Sequence, residues 1–217
     1  MKIGVLGTGT VGQKLAGKLV ELGHEVRMGS RDAGNEKAGA WADQAGELAS
    51  TGAFADAAAF GEVVLNATAG VAALDALRAA GADNLAGKTL IEVSNPLDFS
   101  QGMPPRLSVC NDDSIAEQVQ REFADARVVK AFNTMPNELM VNPGAVDEDH
   151  TLLIAGNDED AKRQVIELAQ SFGWSEESIL DLGDVTAARG MEMYLPLWIR
   201  LMGVTGGRLV TVKVVSG

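Results

Sequence analysis

The opening residues constrain this chain more than any other stretch. Lys2–Leu6 is an apolar run that leads directly into Gly7-Thr8-Gly9-Thr10-Val11-Gly12, the spacing G-x-G-x-x-G. Val11, Leu15, Leu19 and Leu22 then recur at helical spacing, and Gly23 supplies a stop. A strand, a glycine turn and a helix in this order are the context in which the fingerprint binds a dinucleotide. Gly7 permits the tight turn, Gly9 lets the backbone approach a pyrophosphate, and Gly12 lets the helix pack close to the strand. The helix start offers unpaired N–H groups and the positive end of its dipole to phosphate oxygens. The alternative is a glycine-rich turn with no ligand, and the agreement of all three elements argues against it.

The same rhythm continues along the chain. Strands are predicted at residues 25–28, 52–55, 63–67, 89–93, 127–132, 151–155 and 211–215, with a short run at 179–182. Helices are predicted at 36–49, 71–80, 158–172 and 185–202, and Ser114 with Glu117 forms a capping box that opens a further helix to about Phe123. Strands alternating with helices imply a Rossmann-like, doubly wound α/β fold with a mostly parallel sheet. Runs such as Val63-Val64-Leu65 read as strands buried on both faces. We expect a dinucleotide-binding domain over residues 1–134. A small α/β extension over 135–217 would complete a second-cofactor cleft. Residues 100–113, rich in Pro, Gly and Asp, read as a surface loop.

Composition excludes several function classes. With 18 basic and 30 acidic residues the formal net charge is −12, which argues against nucleic acid or an anionic membrane as partner. There is no apolar stretch long enough to span a bilayer; the best, 193–204, is short and carries Arg200. One cysteine, Cys110, rules out a disulfide scaffold, and a reduced, cytoplasmic setting is expected.

The second informative site is the end of the second strand. NAD-binding proteins usually place an acidic residue there to bond the ribose 2′-hydroxyl. Here Ser30 and Arg31 hold that place, followed by Asp32. A guanidinium fork matches phosphate oxygens, so the 2′-phosphate of NADP is the natural partner, with Lys37 as a second charge. The alternative for Arg31 is a solvated pair with Asp32. The carboxyl ends of later strands carry Thr68 and Ala69, Ser94 and Asn95, and Asn133, Met135 and Pro136. These are amides, hydroxyls and small or apolar groups, with no evident general base, so no catalytic residue is assigned. His24 is expected to pack locally, His150 to lie on the surface, Lys130 to snorkel from the sheet, and Cys110 to be a bystander. No His/Cys/Asp cluster has metal-ligand spacing. A dehydrogenase acting on an alcohol wants a placed acid or base. Hydride exchange between two redox cofactors needs mainly stacking and distance.

The opening residues 1–12, Leu22-Gly23-His24-Glu25-Val26, Gly29-Ser30-Arg31, Ser94-Asn95-Pro96-Leu97 and Val128 to Thr134 together resemble the NADP oxidoreductases dependent on coenzyme F420, a deazaflavin. The segment 128–134 is also similar to the oxidoreductase domain of the six-transmembrane metalloreductases, which pair NADPH with a flavin. The resemblance implies NADP(H) over the glycine turn, with Ser30 and Arg31 on its 2′-phosphate. It implies a deazaflavin, FMN or FAD stacked on the nicotinamide near residues 133–136. A further basic residue implied four or five positions after Arg31 is replaced here by Asn35 and Glu36, and Lys37 follows. Two other functions compete. One is NADPH-dependent reduction of a small imine or carbonyl substrate; the other is a nucleotide sensor without turnover. The predicted helix 185–202 is apolar nearly all round, so it either fills a core or meets a second copy in a homodimer.

Overall fold

Short β-branched and aliphatic runs form the strands of this chain, and alanine-rich amphipathic stretches form the helices that cover them. The computed structural model describes residues 1–215. The first half contains β1 (Lys2–Leu6), α1 (Thr10–Glu21), β2 (Glu25–Ser30), α2 (Glu36–Ala45), β3 (Ala49–Ala53), α3 (Phe54–Phe60) and β4 (Val63–Asn66). Next come α4 (Ala73–Ala80), the single turn α5 (Ala82–Leu85), β5 (Thr89–Glu92), the short strands β6 (Leu97–Asp98) and β7 (Arg106–Leu107), α6 (Ile115–Glu122) and β8 (Arg127–Ala131). The last part holds α7 (Asn137–Val141), β9 (Leu152–Gly156), α8 (Glu159–Ser171), β10 (Ile179–Asp181), α9 (Ala188–Met193) and α10 (Leu195–Val204).

Eight strands form one sheet in the order β10-β9-β8-β5-β4-β1-β2-β3, while β6 pairs only with β7. Within the large sheet every pairing is parallel except that of β8 with β9. The chain order reverses between β1 and β4, and in such sheets ligands bind outside the carboxyl ends of the strands at that point. This is the Rossmann-like architecture anticipated from the sequence. One face buries Leu15 and Leu19 of α1, Trp41 of α2 and Val165 of α8 against Ile3, Val5 and Met28. The other buries Ala57 of α3, Leu77 of α4 and Val119 of α6 against Leu6, Val64 and Leu90.

Four element predictions need correction. The strand placed at 52–55 ends at Ala53, because residues 54–60 coil into α3. Asp56 accepts the Ala53 N–H at 2.8 Å and starts that helix. The side-chain-free Gly4 then lets α3 rest on β1, since a Cβ at Gly4 would meet the Ala57 carbonyl oxygen at 2.3 Å. The helix placed at 36–49 stops at Ala45, where Gly46 takes φ 95°. The helix placed at 185–202 is a 3₁₀ turn (Val185–Ala187) followed by α9 and α10. Its break falls next to Pro196, whose ring tolerates only the first turn of a helix. Residues 211–215 form no strand. They run beside the start of β9, joined by Thr151 N–H to the Val212 carbonyl (2.8 Å) and Val214 N–H to Thr151 Oγ1 (3.0 Å).

Leu65 is fully buried in β4 at the middle of the sheet. Leu65→Ala should lower unfolding stability by about 2–5 kcal/mol, seen as a lower urea midpoint at constant slope.

Candidate cofactor cleft

The glycine turn shows a division of labour. Gly7 takes φ +116°, and a Cβ there would lie 2.6 Å from the Ala67 carbonyl oxygen. A Cβ on Gly12 would lie 2.2 Å from the Gly7 carbonyl oxygen. Both positions are therefore closed by the protein itself. Gly9 is different: its backbone is extended (φ −77°, ψ 178°), and a Cβ there meets no atom within 4 Å. It is also the N-cap of α1 and offers no side-chain cap to the helix N–H groups. Gln13 Nε2 steadies the turn by donating to the Thr8 carbonyl at 3.0 Å, and the Gly7 N–H donates to Gly29 at 2.9 Å. The result is a bare backbone shelf at the positive end of a helix, which fits a pyrophosphate.

At the end of β2, Ser30 is buried, with its hydroxyl donating to the Asp32 carbonyl. The Asp32 carboxylate accepts the Gly34 N–H at 3.0 Å, and Asn35 caps α2 through the Ala38 N–H. Arg31 is exposed and joins none of the ion pairs found among the described residues, so the expected alternative pairing with Asp32 is not made. Lys37 is exposed in the first turn of α2.

A cleft of about 670 Å³ opens beside the turn. It brings together Thr10, Val11, Thr68, Ala69, Ser94, Asn95, Asn133, Met135 and Pro136, with Leu195 and Trp198 on the far side. Ser30, Arg31 and Lys37 are not in its lining. Met135 both packs in the core and faces the cleft. Asn95 Nδ2 donates to the Asn133 carbonyl, and Asn133 Nδ2 donates to Asn95 Oδ1, both at 2.9 Å. This double bond of amides ties the loop after β5 to the loop after β8. Asn133 Oδ1 and Thr134 Oγ1 are buried without a protein partner. Asp98, the one titratable residue in the lining, has its carboxylate engaged by the Ser100 N–H (2.8 Å) and hydroxyl (3.0 Å), and the backbone bond holds it below the usual carboxylate range. A larger groove of about 870 Å³ follows the outer side of α1 towards α2. It shares only Thr10 and Asn137 with the cleft and is lined by none of the strand-end residues 67–70, 93–95, Asn133, Met135 and Pro136 that the cleft gathers; neither lining includes Gly7, Gly9 or Gly12.

Behind the cleft floor lies a polar row that the sequence did not announce. Asn66 and Glu92, the last residues of β4 and β5, and Lys130, next to last in β8, lie side by side in register and are all fully buried. Asn66 Nδ2 donates to Glu92 Oε2 at 2.6 Å; Glu92 Oε1 meets both the N–H (2.8 Å) and the hydroxyl of Ser94. Lys130 Nζ donates to the Ser94 carbonyl at 2.5 Å and to Glu192 Oε1 at 2.7 Å, and lies 3.9 Å from Glu92. Burial pushes the Glu92 carboxyl up, against the opposing pull of Lys130. Lys130 therefore does not snorkel to solvent, because three groups hold it inside. His150 is buried too, edge-on to Trp174 at 4.8 Å, which corrects the expected surface position. His24 packs locally, 3.3 Å from the amino terminus. Cys110 is half-buried and free. Among the described residues no His/Cys/Asp/Glu group could hold a metal. No helix among them is long and apolar enough to cross a membrane.

A Rossmann-like sheet with a bare helix N-terminus after the glycine turn and a cleft beside it is the architecture of dinucleotide-binding proteins. The comparisons narrow this further. Residues 2–96 match the family model of the NADP oxidoreductases dependent on coenzyme F420. The F420-dependent NADP reductase of Methanocaldococcus jannaschii is 33% identical over 93% of this chain and 92% of its own. The metalloreductase STEAP3 of Rattus norvegicus is also 33% identical, over 91% of this chain but 38% of its own length. The 1.70 Å crystal structure of a candidate F420-dependent NADP-reductase from Arthrobacter sp. FB24 superposes with a TM-score of 0.93 at 49% identity, covering 100% of both chains. An imine reductase of Streptomyces aurantiacus shares the fold (TM-score 0.68, 18% identity, 94% of this chain and 64% of that one). This chain belongs to the family of F420-dependent NADP oxidoreductases, and it is an NADP-dependent oxidoreductase.

Gly9→Val should fold with an unchanged unfolding midpoint, because its Cβ enters open space. It should lose NADPH and NADH binding in calorimetry if that space receives the pyrophosphate. Gly12→Ala should instead lower the midpoint.

Proposed function

We propose that this protein transfers hydride between NADPH and a deazaflavin, coenzyme F420, with FMN or FAD as the competing acceptors. One observation carries the reading. The cleft beside the glycine turn is walled by small polar and apolar side chains, and its single titratable residue, Asp98, is already engaged. Such a cleft suits two flat rings held face to face, where rate comes from orientation and distance.

In this reading the shelf of Gly7, Thr8, Gly9, Thr10, Val11 and Gly12 holds the pyrophosphate. Arg31 grips the 2′-phosphate, with Ser30 and Lys37 beside it. Thr68, Ala69, Ser94 and Asn95 border the nicotinamide; Asn133, Met135 and Pro136 form the floor, where the orphaned Asn133 Oδ1 suits an amide-bearing ring. The bound nicotinamide supplies the hydride; the protein orients it and excludes water. Residues 135–217 act as the second-cofactor part, their last two lying outside the described residues. Leu195 and Trp198 supply the acceptor side, and Trp198 is fixed by its Nε1–H to the Val210 carbonyl at 2.8 Å. Leu195 is the one buried residue of α10, and Leu197 and Val204 stand exposed, so a homodimer through this helix is part of the proposal, as is a cytoplasmic setting. Imine reduction is favoured only by likeness of fold, at 18% identity. A sensor without turnover is separated from an enzyme by the assay below.

NADPH oxidation should be seen with coenzyme F420, and more slowly with FMN or FAD. Tight NADPH binding with no turnover on any of these would identify a sensor instead. Arg31→Ala should weaken NADPH about 10–100-fold, the size of one charge-assisted contact, and leave NADH nearly unchanged. Equal losses in titration calorimetry would reject the 2′-phosphate role.

A further inference from the structure

Hydride transfer to a flavin-like ring also needs a proton, and the lining of the cleft holds no free acid. The row behind the floor holds one. Lys130, Glu92 and Glu192 are together buried beyond solvent, two carboxyls against one ammonium. A buried cluster of this kind avoids surplus charge by keeping a proton on one carboxyl. Glu192 has the partners of an anion. It takes Lys130 at 2.7 Å and the N–H groups of Ile115 (2.9 Å) and Ala116 (3.4 Å) at the start of α6. Glu92 lies farther from the ammonium, at 3.9 Å, and its oxygens accept neutral donors, the Asn66 amide and the Ser94 N–H and hydroxyl, so it is the carboxyl without a close cation. Its Oε1 contacts the hydroxyl of Ser94, and Ser94 lines the cleft. A hydroxyl both accepts and donates, so a protonated Glu92 can donate to Ser94 Oγ while Ser94 donates into the cleft.

We propose that Glu92 is the proton store of the cleft and Ser94 its outlet, an inference that rests on the hydride-transfer reading above. As the hydride passes from NADPH to the acceptor, Ser94 breaks its O–H bond and gives that proton to an acceptor ring nitrogen. It takes the Glu92 proton in the same movement. NADPH is oxidised to NADP⁺, the acceptor gains the hydride and one proton (two electrons and two protons in all), and Glu92 remains as a carboxylate. Asn66 Nδ2, the Ser94 N–H and Lys130 then stabilise that carboxylate until solvent returns a proton. The reverse reaction returns the proton along the same path. Ser94 is the residue at the reacting atoms; Glu92 and Lys130 act through it as positioning residues. The charged group facing Glu92 is Lys130 from β8, which also holds Glu192 from α9.

Burial raises the Glu92 carboxyl, so the protonated form persists above the usual carboxylate range. Reduction of the acceptor should therefore slow as pH rises through that raised value, and oxidation should speed up. The first measurement needs no cofactor. Infrared spectra of the protein at neutral pH should show a protonated-carboxyl stretch that shifts in D₂O and is lost in Glu92→Gln. The second is the pH profile of NADPH-driven reduction. Glu92→Gln and Ser94→Ala should each slow it about 100-fold and flatten the pH limb, and Ser94→Thr should restore both. No protonated carboxyl, or an unaltered pH limb in both variants, overturns the proposal. If Glu92→Gln does not fold, the wild-type band decides: loss over the ordinary carboxylate range overturns it. Wild-type protein that reduces no deazaflavin or flavin would sink the acceptor reading, while the infrared result tests the store separately.

Discussion

The contact between Gly12 and the carbonyl of Gly7 governs this structure. No side chain fits between them, so α1 is drawn against the carboxyl end of β1 at backbone distance. That places the first turn of α1 over the crevice where chain order reverses. The shelf for the pyrophosphate, the open space above Gly9 and the near wall of the cleft follow from this one approach. Gly7, with its positive φ and its carbonyl neighbour Ala67, fixes the turn from the other side.

A second constraint is electrostatic. Taking Lys130, Glu92 and Glu192 out of water costs several kcal/mol per ion unless partners replace the lost hydration. The fold supplies them from different places: Asn66 from β4, the Ser94 backbone from the loop after β5, and the start of α6. Glu192 thereby ties α9 to α6 and to the sheet. A bidentate Arg189–Glu117 pair makes a second tie between the same helices. The C-terminal helices are joined to the strand ends by charge as well as by packing.

How much of this could be read from residues alone depends on whether the signal was local. Strand, glycine turn and helix lie next to one another in sequence, and each points to the same unit, so the shelf was legible. The alternation of elements gave the sheet. The residues gathered at the cleft were legible because strand ends in this fold converge. Glu92 and Lys130 were not: each looks like a lone charge in an apolar strand, and only the register of β5 with β8 unites them. Glu192 is recognisable only once α9 is seen to cross α6. His150 precedes a strand among polar neighbours, and nothing local reveals that Trp174 will cover it. Helix α3 was missed because Phe54-Ala55-Asp56-Ala57 is too short to separate helix from strand by period.

Arg31 occupies a corner where nothing else leans on it. It follows the last residue of β2 in a bend, and its exposed side chain makes no ion pair or hydrogen bond among the described residues. Replacement there is nearly neutral to folding, as surface changes usually are. The proposed reading of the 2′-phosphate by Arg31 would thus be physically uncoupled from the architecture beneath it. A lineage bearing this scaffold would then move between the two cellular pools of reducing equivalents by altering a solvent-facing corner, with the interior left untouched.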